Sequence, residues 1–184
     1  MKYDYLVFIG RFQPFHNGHK HVIKEGLKIA KKIIVFCGSA NQPKSAKNPW
    51  SYKERRYFIL KSFDETTLRR LCVKPSNDYP NDKTWVEEVE KKVGKIVKKG
   101  TTNASIALIG CDKDQSSYYL KLFTKWKLIE IQHFKKINAT HIRDIYCAIK
   151  DNEQVISAIK NLVPKEVLMF LIRPKVRDRI KMVR

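Results

Sequence analysis

The chain has 184 residues, 43% of them hydrophobic and 30% charged, enough for one domain with a buried core and too few for two ordinary ones. Its 38 Lys and Arg stand against 18 Asp and Glu, a net charge of +20 that favours phosphate-bearing partners without choosing among nucleotide, nucleic acid and membrane surface. No apolar run approaches the ~18–20 residues that span a bilayer, the amino terminus has no signal-peptide core, and Cys37, Cys72, Cys111 and Cys147 lack CxxC spacing, so a cytoplasmic protein with reduced thiols and no membrane partner is expected.

The first element is the apolar run Tyr5–Ile9, the mark of a strand buried on both faces. After the polar stretch Gly10 to His19, residues Gly18 to Lys31 carry Val22, Ile23, Leu27 and Ile29-Ala30 along one helical face. A second strand is predicted at Ile33–Cys37. Ser51-Tyr-Lys-Glu54 reads as a capping box that opens a helix. A strand at Leu71–Val73, a helix over Asp82–Val97, and strands at Ser105–Ile109 and Leu128–Ile131 follow. Beyond Ile131 only helices are expected, at Ala139–Lys150, Glu153–Asn161 and Pro164–Ile172, ending in a basic tail from Arg173 to Arg184. Alternating strands and helices predict a single domain, 1–184. It would comprise a Rossmann-like, doubly wound parallel five-stranded core over 1–135 and a C-terminal helical subdomain with its tail over 136–184.

In such a sheet ligands bind beyond the carboxyl ends of the strands, which is where Gly10-Arg-Phe-Gln-Pro-Phe-His-Asn-Gly-His19 lies. Gly10 allows a phosphate to approach the backbone, Pro14 stiffens the loop, and Gly18 opens a helix with bare amides facing back. His16 and His19, three residues apart, can donate to the same anion. Zinc is disfavoured because no third ligand lies at a supporting spacing.

His16-Asn-Gly-His19 after a first strand resembles the HxGH signature of the nucleotidyltransferase superfamily that includes the class I aminoacyl-tRNA synthetases. The longer stretch resembles the nicotinamide mononucleotide adenylyltransferases of the archaeal type, and still more the amino-terminal domain of bifunctional enzymes that join this activity to a Nudix hydrolase. Gly38-Ser-Ala-Asn-Gln-Pro43, Asn48-Pro-Trp-Ser-Tyr-Lys-Glu-Arg55, Tyr79-Pro-Asn-Asp-Lys-Thr-Trp85, Lys113-Asp-Gln-Ser-Ser-Tyr-Tyr119 and Ile137-Asn-Ala-Thr-His-Ile-Arg143 resemble family motifs in the family's order.

The resemblance implies transfer of AMP from ATP to nicotinamide mononucleotide (NMN), giving NAD and pyrophosphate. His16, His19 and Arg11 would be catalytic. ATP would be bound by Gly10, Phe12, His16, Gly18, His19, Asn138, Thr140, Ile142 and Arg143; NMN by Arg11, Phe12, Arg55, Asn81 and Trp85. Mg2+ is expected with ATP, without a nameable protein ligand, and a homo-oligomer is implied. Asn138 and Cys111 depart from the family, which has Ser and usually His there, and no Nudix box is present, so no second activity is implied for these residues. The alternatives are another small HxGH transferase, with a phosphopantetheine or polyol-phosphate acceptor, or a basic nucleic-acid-binding module. The second is disfavoured because the lysines are spread along the chain.

Overall fold

The computed structural model describes residues 1–98, 103–111, 115–132, 134–135 and 137–181. Five strands, β1 (Tyr3–Gly10), β2 (Ala30–Cys37), β3 (Leu71–Pro75), β4 (Ile106–Gly110) and β5 (Lys127–Glu130), form one sheet in the order β3-β2-β1-β4-β5. Every pairing is parallel, with Leu6 opposite Ile33 on one side and Ala107 on the other. The helices are α1 (Asn17–Ile29), α2 (Tyr52–Lys61), α3 (Glu65–Leu68), α4 (Asp82–Val97), α5 (Ala139–Ala148), α6 (Asn152–Ile159), α7 (Lys165–Leu171) and α8 (Pro174–Lys181), with a 3-10 helix over Gln115–Leu122.

The central strands read as apolar runs because both faces of the sheet are covered there. Leu6, Phe8, Ile33, Val35, Ala107 and Ile109 point to the side of α1, α2 and the carboxyl-terminal helices. Tyr5, Val7, Ile9, Ile34, Phe36 and Leu108 point to the side of α4 and the 3-10 helix. Period-two alternation thus serves two cores at once.

Apart from shifts of a few residues at the ends of other elements and the additional short helix α3, two departures from the sequence reading have a cause in long-range contacts. The helix expected to run to Lys31 stops at Ile29, and the chain passes directly into β2, with Ala30 already extended. Arg70 explains the sharp stop: its guanidinium donates to the carbonyl oxygens of Leu27 and Ala30, each at 2.7 Å, and of Lys31 at 2.9 Å. A long-range cation thus takes the carbonyls that a further helical turn would have used. The expected basic tail is, over Pro174–Lys181, a docked helix. Val176 and Arg177 are buried, and Arg177 donates to the carbonyl oxygens of Tyr146, Ile149 and Lys150 at the end of α5. Its cation sits where the helix dipole is negative, so a residue counted as tail charge has a structural place.

The chain runs outward from β1 through β2 to β3, then returns to place β4 against the other side of β1. The switch in strand order therefore falls between β1 and β4, and the carboxyl ends of these strands, Gly10 and Gly110, flank the crevice that such a switch creates.

Candidate active site

The loop after β1 is built from the inside out. Phe12 has a left-handed backbone, φ 52°, which for a non-glycine residue occurs where tertiary packing enforces it. Packing supplies the force here: the Phe12 ring is buried and meets Phe8 at 5.3 Å, Phe15 at 6.0 Å and His19 at 4.8 Å between centroids. The turn leaves Arg11 exposed beside the buried aromatic group. Phe12 offers a ligand only its backbone.

His16 is the N-cap of α1, and the cap is reciprocal. The Nδ1 of His16 accepts from the His19 amide at 3.3 Å, and the Nδ1 of His19 accepts from the His16 amide at 3.3 Å. Two imidazoles replace the usual Ser and Glu of a capping box. The rings stack at 3.6 Å between centroids, 22° from parallel. A neutral imidazole whose Nδ1 accepts carries its proton on Nε2, so both rings are fixed as Nε2–H donors. Gly18 gives the His16 ring room, because a Cβ there would lie 3.0 Å from both Cε1 and Nδ1 of His16 and press the ring aside by a few tenths of an ångström.

The bare amides expected at the start of α1 are partly engaged: Asn17 N–H donates to Leu162 O at 2.8 Å and His19 N–H to His16. The helix start thus turns its imidazoles rather than those two amides towards an anion, with His19 half-buried and His16, 1% exposed, lying behind it.

Three guanidinium groups gather around the loop. Arg55, 1% exposed, donates from Nη1 to Arg11 O at 2.7 Å and Gly38 O at 2.6 Å, and from Nη2 to Ser39 O at 3.3 Å. It therefore ties the ends of β1 and β2 together, and its hydrogen bonds go to backbone carbonyls. Arg143 donates from Nη1 to Gln13 O at 2.7 Å and from Nη2 to Thr140 Oγ1 at 3.0 Å, joining the start of α5 to the same loop. Burial lowers the pKa of both groups, and the nearby Arg11 charge lowers it further. Arginine stays protonated regardless, so the loop holds concentrated positive potential suited to a polyanion.

Asn138 caps α5 through Oδ1, which accepts from His141 N–H at 2.7 Å and leaves its NH2 as the outward donor. Ile142 is buried in the core, so only its backbone is available to a ligand. On the far side of the loop, Asn81 caps α4 by accepting from Thr84 N–H at 2.9 Å. Trp85 in the first turn of α4 lies edge-on to Tyr119 and Phe123, and Tyr119 donates its hydroxyl to Ile9 O at 3.1 Å. The motif residues Lys113 and Asp114 fall outside the described residues.

Residues 7–145 match the model of the cytidylyltransferase-like family. The chain is 37% identical over 171 residues to the nicotinamide/nicotinic acid mononucleotide adenylyltransferase of Acinetobacter baylyi, covering 92% of this chain and 86% of that one. The chain belongs to the cytidylyltransferase-like family. Within the family it is also similar to the nicotinamide-nucleotide adenylyltransferase of Thermococcus onnurineus, 28% identical over 96% of this chain and 87% of that one. Among solved structures it superposes with a TM-score of 0.75 and 34% identity on the bifunctional NMN adenylyltransferase/ADP ribose pyrophosphatase of Francisella tularensis, determined with AMP and a manganese ion. The match covers 97% of this chain and 52% of that one, so this chain spans about half the length of the bifunctional relative.

Two residues of this family member escaped the sequence reading. Gln13, 1% exposed, pairs with the Trp50 backbone, donating from Nε2 to its carbonyl at 2.9 Å and accepting its amide at 3.1 Å. Ser76, equally buried, accepts the Trp85 indole N–H at 3.0 Å. Gln13 lies inside a recognised motif and could have been questioned as a polar residue in an aromatic loop. Ser76 carries no signal, because its partner is nine residues away across a loop.

Proposed function

We infer that the chain is a nicotinamide-nucleotide adenylyltransferase, joining NMN to the AMP portion of ATP. The observation that carries this reading is the stacked His16/His19 pair, locked as two Nε2–H donors at the β1/α1 junction and flanked by Arg11 and Arg143. The relatives named above support it.

In this reaction an oxygen of the NMN 5′-phosphate attacks the α-phosphorus of ATP. A new phosphorus–oxygen bond forms, the bond to the β-phosphate bridge breaks, and pyrophosphate leaves. Neither an enzyme nucleophile nor a general base is needed, because the attacking phosphate is already anionic; catalysis rests on positioning and on stabilising charge. The two imidazoles donate to the phosphoryl oxygens on which charge accumulates. Arg11, exposed on the loop between the two substrates, bridges the reacting phosphates. Thr140, Arg143 and the Asn138 amide receive the triphosphate at the start of α5. Arg55 serves NMN by holding the Arg11 loop in place.

Trp85 stacks on the cationic nicotinamide ring. Asn81, whose Oδ1 accepts from Thr84 N–H, meets the ring's substituent with its NH2 donor. A carboxamide oxygen and a carboxylate oxygen accept that donor alike, so the nicotinic acid nucleotide is a second substrate.

Among the described residues no group of three or more His, Cys, Asp or Glu side chains could hold a metal ion. Mg2+ would come with ATP, held largely by phosphate and water, and would offset the charge of the triphosphate. A chelator is expected to abolish turnover and Mg2+ to restore it. Among the described residues no helix is long and apolar enough to cross a membrane. A cytoplasmic location and assembly into homo-oligomers belong to the same proposal, and sedimentation velocity tests the latter.

The deciding assay measures pyrophosphate release from ATP with NMN, nicotinic acid mononucleotide or phosphopantetheine, and from CTP with a polyol phosphate. The two mononucleotides are expected to react and the others to fail. Preference for either of the others overturns the reading.

A further inference from the structure

We propose that Ser76 is a positioning residue for the nicotinamide end of the site, acting through the indole of Trp85. The inference rests on the reading of Trp85 as the ring that stacks on the mononucleotide.

Ser76 is a rigid anchor. It is 1% exposed. Its amide donates to Cys37 O at 2.9 Å, and its carbonyl accepts from Ala40 N–H at 2.9 Å, so its backbone is pinned to the end of β2 on both sides. Its hydroxyl oxygen, carried on that anchor, accepts Trp85 Nε1–H at 3.0 Å. Trp85 itself is half-buried in the first turn of α4. Its two aromatic neighbours, Tyr119 at 6.0 Å and 78° and Phe123 at 5.2 Å and 72°, restrict where the indole lies.

The torsion to an sp² ring is broad and roughly two-fold, so the two flipped orientations of an indole are told apart by its surroundings, by shape and by hydrogen bonding. A flip carries Nε1 away from its acceptor, so the bond to Ser76 adds a directional constraint to the packing of Tyr119 and Phe123. Together they fix the plane and the sense of the ring. The bond also occupies the indole's single donor. A ligand then meets Trp85 through its π surface, the part that attracts a pyridinium.

The test is a kinetic double-mutant cycle with Ser76→Ala and Trp85→Phe. Alanine leaves the two backbone bonds of residue 76 in place and removes only the acceptor. Ser76→Ala is expected to raise KM for NMN about three- to tenfold, with kcat and KM for ATP unchanged. In the Trp85→Phe protein, which lacks the indole N–H, Ser76→Ala should add nothing. A KM rise of equal size in both backgrounds, a matching rise in KM for ATP, or no rise at all overturns the proposal. Should Ser76→Ala fold poorly, Trp85→Phe removes the same bond from the other side, and an unchanged KM for NMN in that variant is equally fatal. Trp85→Ala separates the two layers. If it raises KM for NMN while Ser76→Ala does not, the positioning role fails alone; if it leaves that KM unchanged, the stacking reading fails and takes the proposal with it.

Discussion

At position 18 a hydrogen atom in place of a methyl group decides where an imidazole sits. Gly18→Ala would bring a Cβ to 3.0 Å from the His16 ring, and the ring is confined by its stack on His19. The ring must give by a few tenths of an ångström, less than the ~1 Å misplacement that costs on the order of 10² in rate. A loss in kcat below about 10² is therefore expected for Gly18→Ala, smaller than the 10² to 10³ expected for His19→Ala; a Gly18→Ala enzyme with full activity would show that His16 does not act from this position. Gln13→Ala works on stability instead. It strips the Trp50 amide and carbonyl of their partners in a buried place, about 1–3 kcal/mol for each group left unsatisfied, which urea unfolding would reveal. At this scale the loop at a strand end carrying Arg11, His16 and His19 was legible in the sequence, and the structure brings Arg143 to that loop from α5 through its bond to Gln13 O. The sequence did not reveal that Arg55 spends its donors on Arg11 O and Gly38 O, because backbone carbonyls leave no trace in a motif.

The elements show the same division between local and long-range causes. Strands and helices of the core were legible because each carries its own period, and α4 was expected over the very span Asp82–Val97 that it occupies. The end of α1 and the existence of α8 were not, since each depends on an arginine reaching carbonyls distant in sequence. Arg177 makes the consequence testable. Its guanidinium closes the carboxyl end of α5 and lies 4.6 Å from the centroid of the Tyr146 ring. α5 carries Thr140 and Arg143 at its other end. Arg177→Ala is expected to destabilise the protein by about 1.5–3 kcal/mol, the worth of hydrogen bonds from a charged donor, and to raise KM for ATP more than KM for NMN. Arg177→Lys should recover little, because one ammonium cannot reproduce a fork over three carbonyls. Equal effects on both substrates would mean that α8 supports the whole fold rather than the triphosphate end.

For the whole molecule, a net charge of +20 makes the remaining carboxylates worth more than their number suggests. Asp4 joins the start of β1 to that of β4 and to Lys31, accepting from Ser105 N–H and Oγ at 2.9 Å each and from Lys31 Nζ at 2.8 Å. Led by the hydrogen bond from Lys31, these contacts hold its pKa down at about 2, from an ordinary 3.8. Asp64, capping α3 and bonded to the Thr66 hydroxyl, is likewise held at about 2. At Glu54 burial works in the opposite direction, but hydrogen bonds from Ser51 and Arg179 outweigh it and lower the pKa. For all three groups the folded value lies below the unfolded one, so the unfolded chain binds protons first as the pH falls. Their stabilisation is complete above about pH 5 and, for the two aspartates, drains away between about pH 4 and pH 2. Protonation there also leaves the positive charges unopposed, and self-repulsion adds to the loss. The melting temperature is therefore expected to hold level near neutrality and fall steeply below pH 4, with added salt recovering part of the fall by screening. Asp4→Asn should melt lower than the parent at pH 7 and converge on it towards pH 2, since the variant lacks what acid removes. Curves that run parallel down to pH 2 would show that Asp4 contributes nothing through its charge, and that the backbone pairing of β1 with β4 holds their junction without it.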